Sequence, residues 1–122
     1  GNTTVEAMTV FLHYLYSGDI HGDLSLETAE DVFNLADKFA VPDLRRRCGL
    51  VLQRKFTVHN VFRLLLLADE RRDAELRRAA LEFMKQHPEC RDTDEWREVN
   101  SGPRSHLLRE AGLALGFAQG QP

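Results

Sequence analysis

The sequence has few of the features that mark secreted, membrane-spanning or nucleic-acid-binding proteins. Its 122 residues include only two cysteines, Cys48 and Cys90, which are too few for a disulfide framework and suit a reducing compartment. It has no run of 18 apolar residues, and no charged leader precedes an apolar run near Gly1. The net charge of −3 does not favour general affinity for nucleic acid or membranes. We therefore expect a protein of the nucleus or the cytoplasm that binds neither.

The sequence also lacks the usual signatures of catalysis. It contains no phosphate-binding loop, no nucleophile elbow and no metalloprotease helix motif. His87 and Cys90 form one pair at a possible ligand spacing, whereas a structural zinc site needs four ligands. Asp37 and Asp69 recur at matching places, but no partner group accompanies them as a catalytic carboxylate pair requires. We expect no enzyme activity, no cofactor and no metal ion.

What the sequence does contain is an internal repeat. The segments Leu35–Asp37 and Leu44–Arg46 return 32 residues later as Leu67–Asp69 and Leu76–Arg78. An offset of this size corresponds to one helix–turn–helix unit, so the pattern predicts two stacked helical hairpins. Stacked hairpins offer extended surfaces rather than catalytic clefts, which directs the search for function toward a protein partner.

Apolar periodicity and helix-capping residues predict a chain made of helices without strands. A capping box of Thr3 and Glu6 starts the first helix, and Gly18 is suited to end it. Pro42 sits at a first-turn position, and Pro88 stops a later helix. The first predicted helix runs from about 3 to 17, and the second starts near 25 or 28 and ends at 39. Three more run from 42 to 54, 58 to 70 and 73 to 87. A short turn around Trp96 and a last helix from Pro103 to about Gly116 follow.

The first predicted helix is apolar all round its axis. At about 100° per residue, its Val, Met, Phe, Leu and Tyr side chains point in every direction. Such a helix must be covered on every side, yet its only neighbours within this sequence follow it. We expect the chain to be a fragment of a larger protein or an obligate partner in an assembly.

Several segments together resemble a BTB/POZ protein. The resemblance begins with the C-terminal half of the BTB/POZ domain, continues with the helical pair that follows this domain in ubiquitin-ligase adaptors, and ends with the tail of speckle-type POZ proteins. Those proteins join a TRAF-like (MATH) substrate domain to a BTB domain and a short BACK-like extension. The segments that carry the resemblance are Tyr14–Gly18, Ala36–Phe39, Leu44 with Cys48, Leu67–Asp69 with Leu76, Glu95–Arg97 and His106–Ala111.

The resemblance implies an all-α fold and a division of the chain. Residues 1–55 correspond to the C-terminal helical lobe of a BTB/POZ-like domain, whose N-terminal strands are absent from this sequence. Residues 56–118 correspond to a BACK-like helical extension, and residues 119–122 are expected to be a frayed tail.

The resemblance further implies the substrate adaptor of a cullin-RING ubiquitin ligase. Its partner is a cullin scaffold, contacted by Tyr16, Phe11 and the loop that contains Asp19. Substrates bind a domain outside this sequence, and the full-length protein is a possible homo-oligomer. The simpler interpretation of Tyr16 and Phe11 is that both pack in a core, and the sequence leaves this open.

Two other functions are compatible with the residues. One is a BTB-like self-association scaffold without a ligase role. The other is a small helical nucleic-acid-binding domain, suggested by the arginine groups at 45–47, 71–72 and 77–78. Acidic residues are interleaved with these arginines, which is more typical of a solvated mixed-charge surface.

Overall fold

A computed structural model describes residues 4–103, 105, 106 and 109 of the chain. These residues form six α-helices and one 3₁₀ helix and contain no strand, which confirms the all-α prediction. None of the helices they form is both long and apolar enough to cross a lipid bilayer. The helices are α1 (Val5–Ser17), α2 (Leu26–Lys38), α3 (Pro42–Arg54), α4 (Val61–Glu70), α5 (Ala74–Gln86) and α6 (Asp94–Asn100), and the 3₁₀ helix Pro88–Asp92 connects α5 to α6.

The chain divides into two compact units, Gly1–Lys55 and Phe56–Pro122. The first unit contains α1 to α3, and the second contains α4 to α6 with the 3₁₀ helix. Most of the last predicted helix, from Pro103 to Gly116, and the predicted tail at 119–122 lie outside the described residues.

Side-chain caps explain where several helices begin. The Ser25 hydroxyl accepts a hydrogen bond from the Thr28 amide at 3.1 Å, and Asp73 accepts one from the Leu76 amide at 2.9 Å. The N-cap of α1 is Thr4, one residue after the predicted Thr3. Each cap satisfies one of the amides that a helix start leaves without an internal partner.

The start of α4 was predicted wrongly, at Val58 instead of Val61. The Thr57 amide donates to Asn60 Oδ1 at 2.8 Å, and the Asn60 amide donates back to Thr57 Oγ1 at 3.2 Å. These local bonds hold residues 57–60 in a turn, because short polar side chains compete with helical backbone hydrogen bonds.

The 32-residue repeat is a structural repeat as well. Both hairpins turn through the same three backbone hydrogen bonds, and each turn contains a residue with left-handed backbone, Ala40 (φ 56°) and Arg72 (φ 54°). In the first turn, amide 39 donates to carbonyl 35, amide 40 to carbonyl 37 and amide 41 to carbonyl 36. The second turn has the same bonds 32 residues later: amide 71 donates to carbonyl 67, amide 72 to carbonyl 69 and amide 73 to carbonyl 68. The hairpins predicted from sequence are confirmed.

Equivalent positions of the two hairpins are buried. The pairs that share this property are Val32 and Leu64, Leu35 and Leu67, Ala36 and Ala68, Leu44 and Leu76, Cys48 and Ala80, and Leu52 and Met84. The repeat therefore encodes one core pattern twice. A salt bridge also spans the first turn, with Arg45 Nη1 3.2 Å from Asp37 Oδ1.

Candidate protein-interaction site

Helix α1 has a buried face and an exposed apolar face. Ala7, Phe11 and Tyr14 are buried, and α1 packs on α2. Five large apolar or aromatic residues stay exposed and occupy one arc of about 100° on the helix surface. We call these residues, Val5, Met8, Leu12, Leu15 and Tyr16, the α1 stripe. The expectation that α1 needs a further cover therefore applies to this arc.

Tyr16 is the most exposed member of the stripe. Its side chain is 92% exposed, so the interpretation that Tyr16 packs in a core does not hold for this chain. The residue lies in the last turn of α1, which ends at Gly18 in a left-handed conformation (φ 76°). The Gly18 amide donates to the Tyr14 carbonyl at 2.7 Å and closes the helix end. Tyr16 therefore lies on the last turn of a helix whose C-terminal end is fixed by this hydrogen bond.

Phe11, by contrast, is 5% exposed and belongs to the core of the first unit. Its ring lies 5.6 Å from the ring of Phe39, centroid to centroid, and Phe39 is half-exposed. Phe39 is a surface residue that the sequence argument did not select as a site. The signal available was its position just after α2, where a C-terminal aromatic is less enclosed than one in the helix middle.

Asp19 is held in place by two hydrogen bonds directly after α1. Its Oδ1 atom accepts from the Ile20 amide at 2.8 Å and lies 3.2 Å from Arg47 Nη1 of α3. The Ile20 amide first, and the Arg47 guanidinium second, lower the pKa of the Asp19 carboxyl. The loop after Tyr16 therefore carries a fixed negative charge at neutral pH.

Arg47 connects this loop to the buried side of α1. Besides Asp19, it lies 3.9 Å from the Asp43 carboxylate, and its guanidinium is 5.7 Å from the centre of the Tyr14 ring. The Tyr14 hydroxyl donates to Asp43 Oδ2, and this bond is the main cause that raises the pKa of Tyr14. These four residues tie the C-terminal part of α1, its following loop and α3 together.

A groove borders the same end of α1 on its other side. It encloses about 390 Å³ and is lined by Thr9, Val10, His13, Asp19, Ile20 and His21. The His13 and His21 rings meet edge to face at 4.6 Å. Two imidazoles do not complete a metal site, and the described residues contain no group of three or more metal-ligating side chains.

The second unit has an apolar groove of its own. The groove has a volume of about 460 Å³, and its apolar lining includes Phe62, Leu66 and Val99. His59 and Glu95 line its polar edge, where His59 Nδ1 lies 3.4 Å from Glu95 Oε1. The backbone amide of Glu95 first, and His59 second, lower the pKa of the Glu95 carboxyl. The ring of Trp96 in α6 lies 5.0 Å from the ring of Phe62 in α4, centroid to centroid.

The two cysteines offer no nucleophile to either groove. Cys48 and Cys90 are buried, and burial raises their pKa values to about 12 and about 11. Both thiols are therefore protonated at neutral pH, and a protonated thiol is a poor nucleophile and metal ligand. What the surface does offer is apolar area beside fixed charge, which suits binding of another protein.

Known proteins are similar to nearly the whole length of this chain. No protein-family model matches the chain. The chain is 31% identical over 120 residues, 97% of its length, to TD and POZ domain-containing protein 1 of Mus musculus. It is 33% identical over 117 residues, 94% of its length, to TD and POZ domain-containing protein 3 of the same species. Kelch-like protein 41a of Danio rerio is 33% identical over 97 residues, 77% of the chain.

The chain spans only part of these relatives. It covers 32% of each of the two TD and POZ domain-containing proteins and 15% of the Kelch-like protein. The relatives include both groups, so they support a BTB/POZ relationship without distinguishing the speckle-type subfamily. The homologues of this chain are thus BTB/POZ-containing proteins, represented by TD and POZ domain-containing and Kelch-like proteins.

Proposed function

We propose that the chain is part of a substrate adaptor for a cullin-RING ubiquitin ligase, of the speckle-type POZ kind. Residues 1–55 would form the C-terminal lobe of its BTB/POZ domain, and residues 56–118 a BACK-like extension. The BTB/POZ-containing homologues and the order of the matching segments along the chain support this proposal. Its place of action is the nucleus or the cytoplasm.

The observation that carries the proposal is the exposure of Tyr16, three residues before the ionised carboxylate of Asp19. Tyrosine has an apolar ring and a polar tip, and it is enriched among the residues that dominate binding energy. Asp19, held by Arg47, places an ionised carboxylate on the loop that follows. Phe11 acts from inside the unit, where its buried ring keeps α1 seated on its neighbours. The cullin would then bind Tyr16 directly, with Asp19 providing orientation.

The proposed mechanism involves no bond making or breaking by this chain. An adaptor binds the ligase scaffold with one surface and a substrate with another, which raises the effective concentration of the substrate at the ligase. Substrate recognition belongs to a domain outside this sequence. Assembly of the full-length protein into a homo-oligomer would present several substrate sites on one complex.

The test is calorimetric titration of the chain with a cullin N-terminal domain. We expect Tyr16→Ala to weaken binding by about 1–3 kcal/mol, the range of interface hot spots. Glu6→Ala is the matched control, because Glu6 is exposed in the first turn of the same helix, far from the Asp19 loop. Circular dichroism checks folding, which Tyr16→Ala should preserve because that side chain is exposed.

Two results would contradict the proposal. One is equal cullin affinity of the wild type and the Tyr16→Ala variant. The other is a folded wild type that binds no cullin, both alone and with further sequence of its own protein restored upstream of Gly1. A weakened Glu6→Ala variant would show that the contact extends along α1 rather than being confined to its C-terminal end.

A further inference from the structure

The cationic residues of this chain are mostly arginines. Of its 16 Lys and Arg residues, 13 are arginines, and the lysines are Lys38, Lys55 and Lys85. Lysine is otherwise among the commonest residues of globular proteins. Both side chains carry one positive charge, but their chemistry differs. A lysine amine can lose its proton and act as a nucleophile, whereas the arginine guanidinium stays protonated.

Ion pairing accounts for only part of this preference for arginine. The planar guanidinium suits a carboxylate, and Arg45 pairs with Asp37 at 3.2 Å in the first unit. Arg54, Arg72 and Arg78, however, are exposed at the surface, where lysine would supply the same charge. What arginine withholds at these positions is a nucleophilic amine.

The structure separates the three lysines by their surroundings. Lys38 is partly buried, and its Nζ atom lies 5.5 Å from the centre of the Phe39 ring. The Lys55 side chain is 28% exposed, and its Nζ atom lies 3.5 Å from Asp23 Oδ2. Lys85 is exposed in the last turn of α5. A large reagent therefore reaches the Lys85 amine more easily than the other two.

Lys85 is also the single lysine of the second unit, and it lies on the outer face of α5. It follows Arg78 by seven residues, or two helical turns, so the two share one face of the helix. At about 100° per residue, both point about 140–160° away from the mean direction of the buried Leu76, Ala80 and Met84. A protein that approaches this face meets one lysine amine.

We propose that Lys85 is the ubiquitin-acceptor site of this chain, and that arginine at the other exposed positions protects the cationic surface from the same modification. This rests on the adaptor proposal, because an adaptor bound to a cullin-RING ligase is held close to ubiquitin that a conjugating enzyme carries as a thioester. The unprotonated Lys85 amine attacks the thioester carbonyl carbon. A C–N bond forms, the C–S bond breaks, and the proton released by the amine neutralises the departing thiolate.

Competitive acylation tests the accessibility of the amine without a ligase. The chain, with its N-terminal amine acetylated, is treated with a limiting amount of the N-hydroxysuccinimide ester of biotin, and mass spectrometry locates the product. We expect Lys85 to be acylated first. Lys38→Arg and Lys55→Arg are the matched controls, and neither should change the rate at Lys85.

Ubiquitin transfer tests the acceptor site itself. The acetylated chain is incubated with a ubiquitin-charged conjugating enzyme, once with the cullin-RING ligase and once at high enzyme concentration without it. We expect one ubiquitin on the wild type, retained in a variant that combines Lys38→Arg and Lys55→Arg, and lost in Lys85→Arg. Adding Arg78→Lys to Lys85→Arg should restore the modification, because position 78 is exposed on the same face of α5. Circular dichroism checks that each variant folds.

Three results would overturn the proposal. The first is acylation of Lys38 or Lys55 as fast as that of Lys85. The second is a wild type that receives no ubiquitin in either reaction, or a product that survives Lys85→Arg. The third is an unmodified Arg78→Lys position, which would show that arginine is not what protects this surface.

Failure of the adaptor proposal gives a different result. In that case calorimetry detects no cullin binding and the ligase does not accelerate the transfer, while Lys85 remains the acceptor in the reaction without the ligase. Cullin binding with ubiquitin on another lysine would instead contradict only the assignment of Lys85.

Discussion

The hydrogen bond from the buried Tyr14 to Asp43 should be measurable in the ionisation of a single tyrosine. The Tyr14 hydroxyl donates to the Asp43 carboxylate, and this bond, followed by burial, raises the pKa of Tyr14 above the usual 10.0. The chain has two tyrosines, and the other is the exposed Tyr16. A Tyr16→Phe background therefore leaves Tyr14 as the only tyrosine to titrate.

Absorbance of the tyrosinate ion during alkaline titration is the assay. In the Tyr16→Phe background we expect a midpoint above pH 10.0, and adding Asp43→Asn should bring it back toward that value. The asparagine side chain still has an oxygen that can accept the hydrogen bond, but it has no negative charge. In the parent, the negative charge of Asp43 also opposes ionisation of Tyr14 and so raises its pKa. A Tyr14 midpoint at or below 10.0 in the parent, or one unchanged by Asp43→Asn, would refute this reasoning.

The same bond should contribute to folding stability. Asp43 is 59% exposed, so water competes for its carboxylate and reduces the contribution. A hydrogen bond to a charged group contributes about 1.5–3 kcal/mol, and the exposed acceptor lowers our expectation to about 1–2 kcal/mol for Asp43→Ala. Urea denaturation at neutral pH measures this difference. Glu75→Ala is the control, because Glu75 is an exposed acidic residue in the first turn of α5, at the position equivalent to Asp43 in the second hairpin.

The pH dependence of this contribution has a definite sign. The pKa of this tyrosine is higher in the folded chain than in the unfolded chain. At a pH between these two pKa values, the folded chain therefore binds more protons than the unfolded chain. Its contribution to stability is therefore complete below about pH 10 and is lost as the pH rises through the folded-state pKa. The stability difference between the parent and Asp43→Asn should shrink above pH 10. A difference that grows with pH in that range would contradict the assignment.

Three further predictions concern the core and the turns. Phe62→Ala should destabilise the second unit by about 3–5 kcal/mol, because Phe62 is buried and its ring packs against Trp96. The fluorescence of Trp96, the single tryptophan of the chain, during urea unfolding measures the change. An unaltered urea midpoint would contradict the prediction. Ala40→Gly should stabilise the chain by about 0.5–1 kcal/mol, because the backbone at position 40 is left-handed and glycine adopts that conformation without the steric cost that alanine has. A lower urea midpoint for the variant would show that the turn carries no such strain. Cys48 and Cys90 should react with a disulfide reagent at pH 8 only after the chain unfolds in urea. Burial encloses both thiols and raises their pKa values to about 12 and about 11. Fast reaction of the folded chain would show that the thiols are accessible.

Residue spacing was sufficient to predict the hairpins because their folding information is local. Leu35–Asp37 and Leu67–Asp69 end their helices with the same hydrogen bonds, which depend on residues within six positions of each other. The 32-residue register likewise matches positions that are buried in both hairpins, such as Leu44 and Leu76. Boundaries were less accurate: α4 starts at Val61 because the turn bonds of Thr57 compete with the helix, and propensity alone does not weigh such bonds.

The candidate site depended far more on tertiary structure. The apolar composition of α1 indicated that it needs cover, but all of its apolar residues looked equivalent in the sequence. Packing on α2 decided that Phe11 is buried and that Tyr16, five residues later, is exposed. Likewise, nothing in the sequence paired Asp19 with Arg47, which is 28 residues away.

The sequence by itself determined that this chain folds into two similar helical hairpins preceded by an apolar helix. It could do so because capping, turn formation and helical periodicity act over a few residues. Only the tertiary structure decided which arc of α1 remains available to a partner and which charged groups stand beside it. Those properties arise from contacts between residues far apart in the chain, and neither residue alone carries a signal of the other.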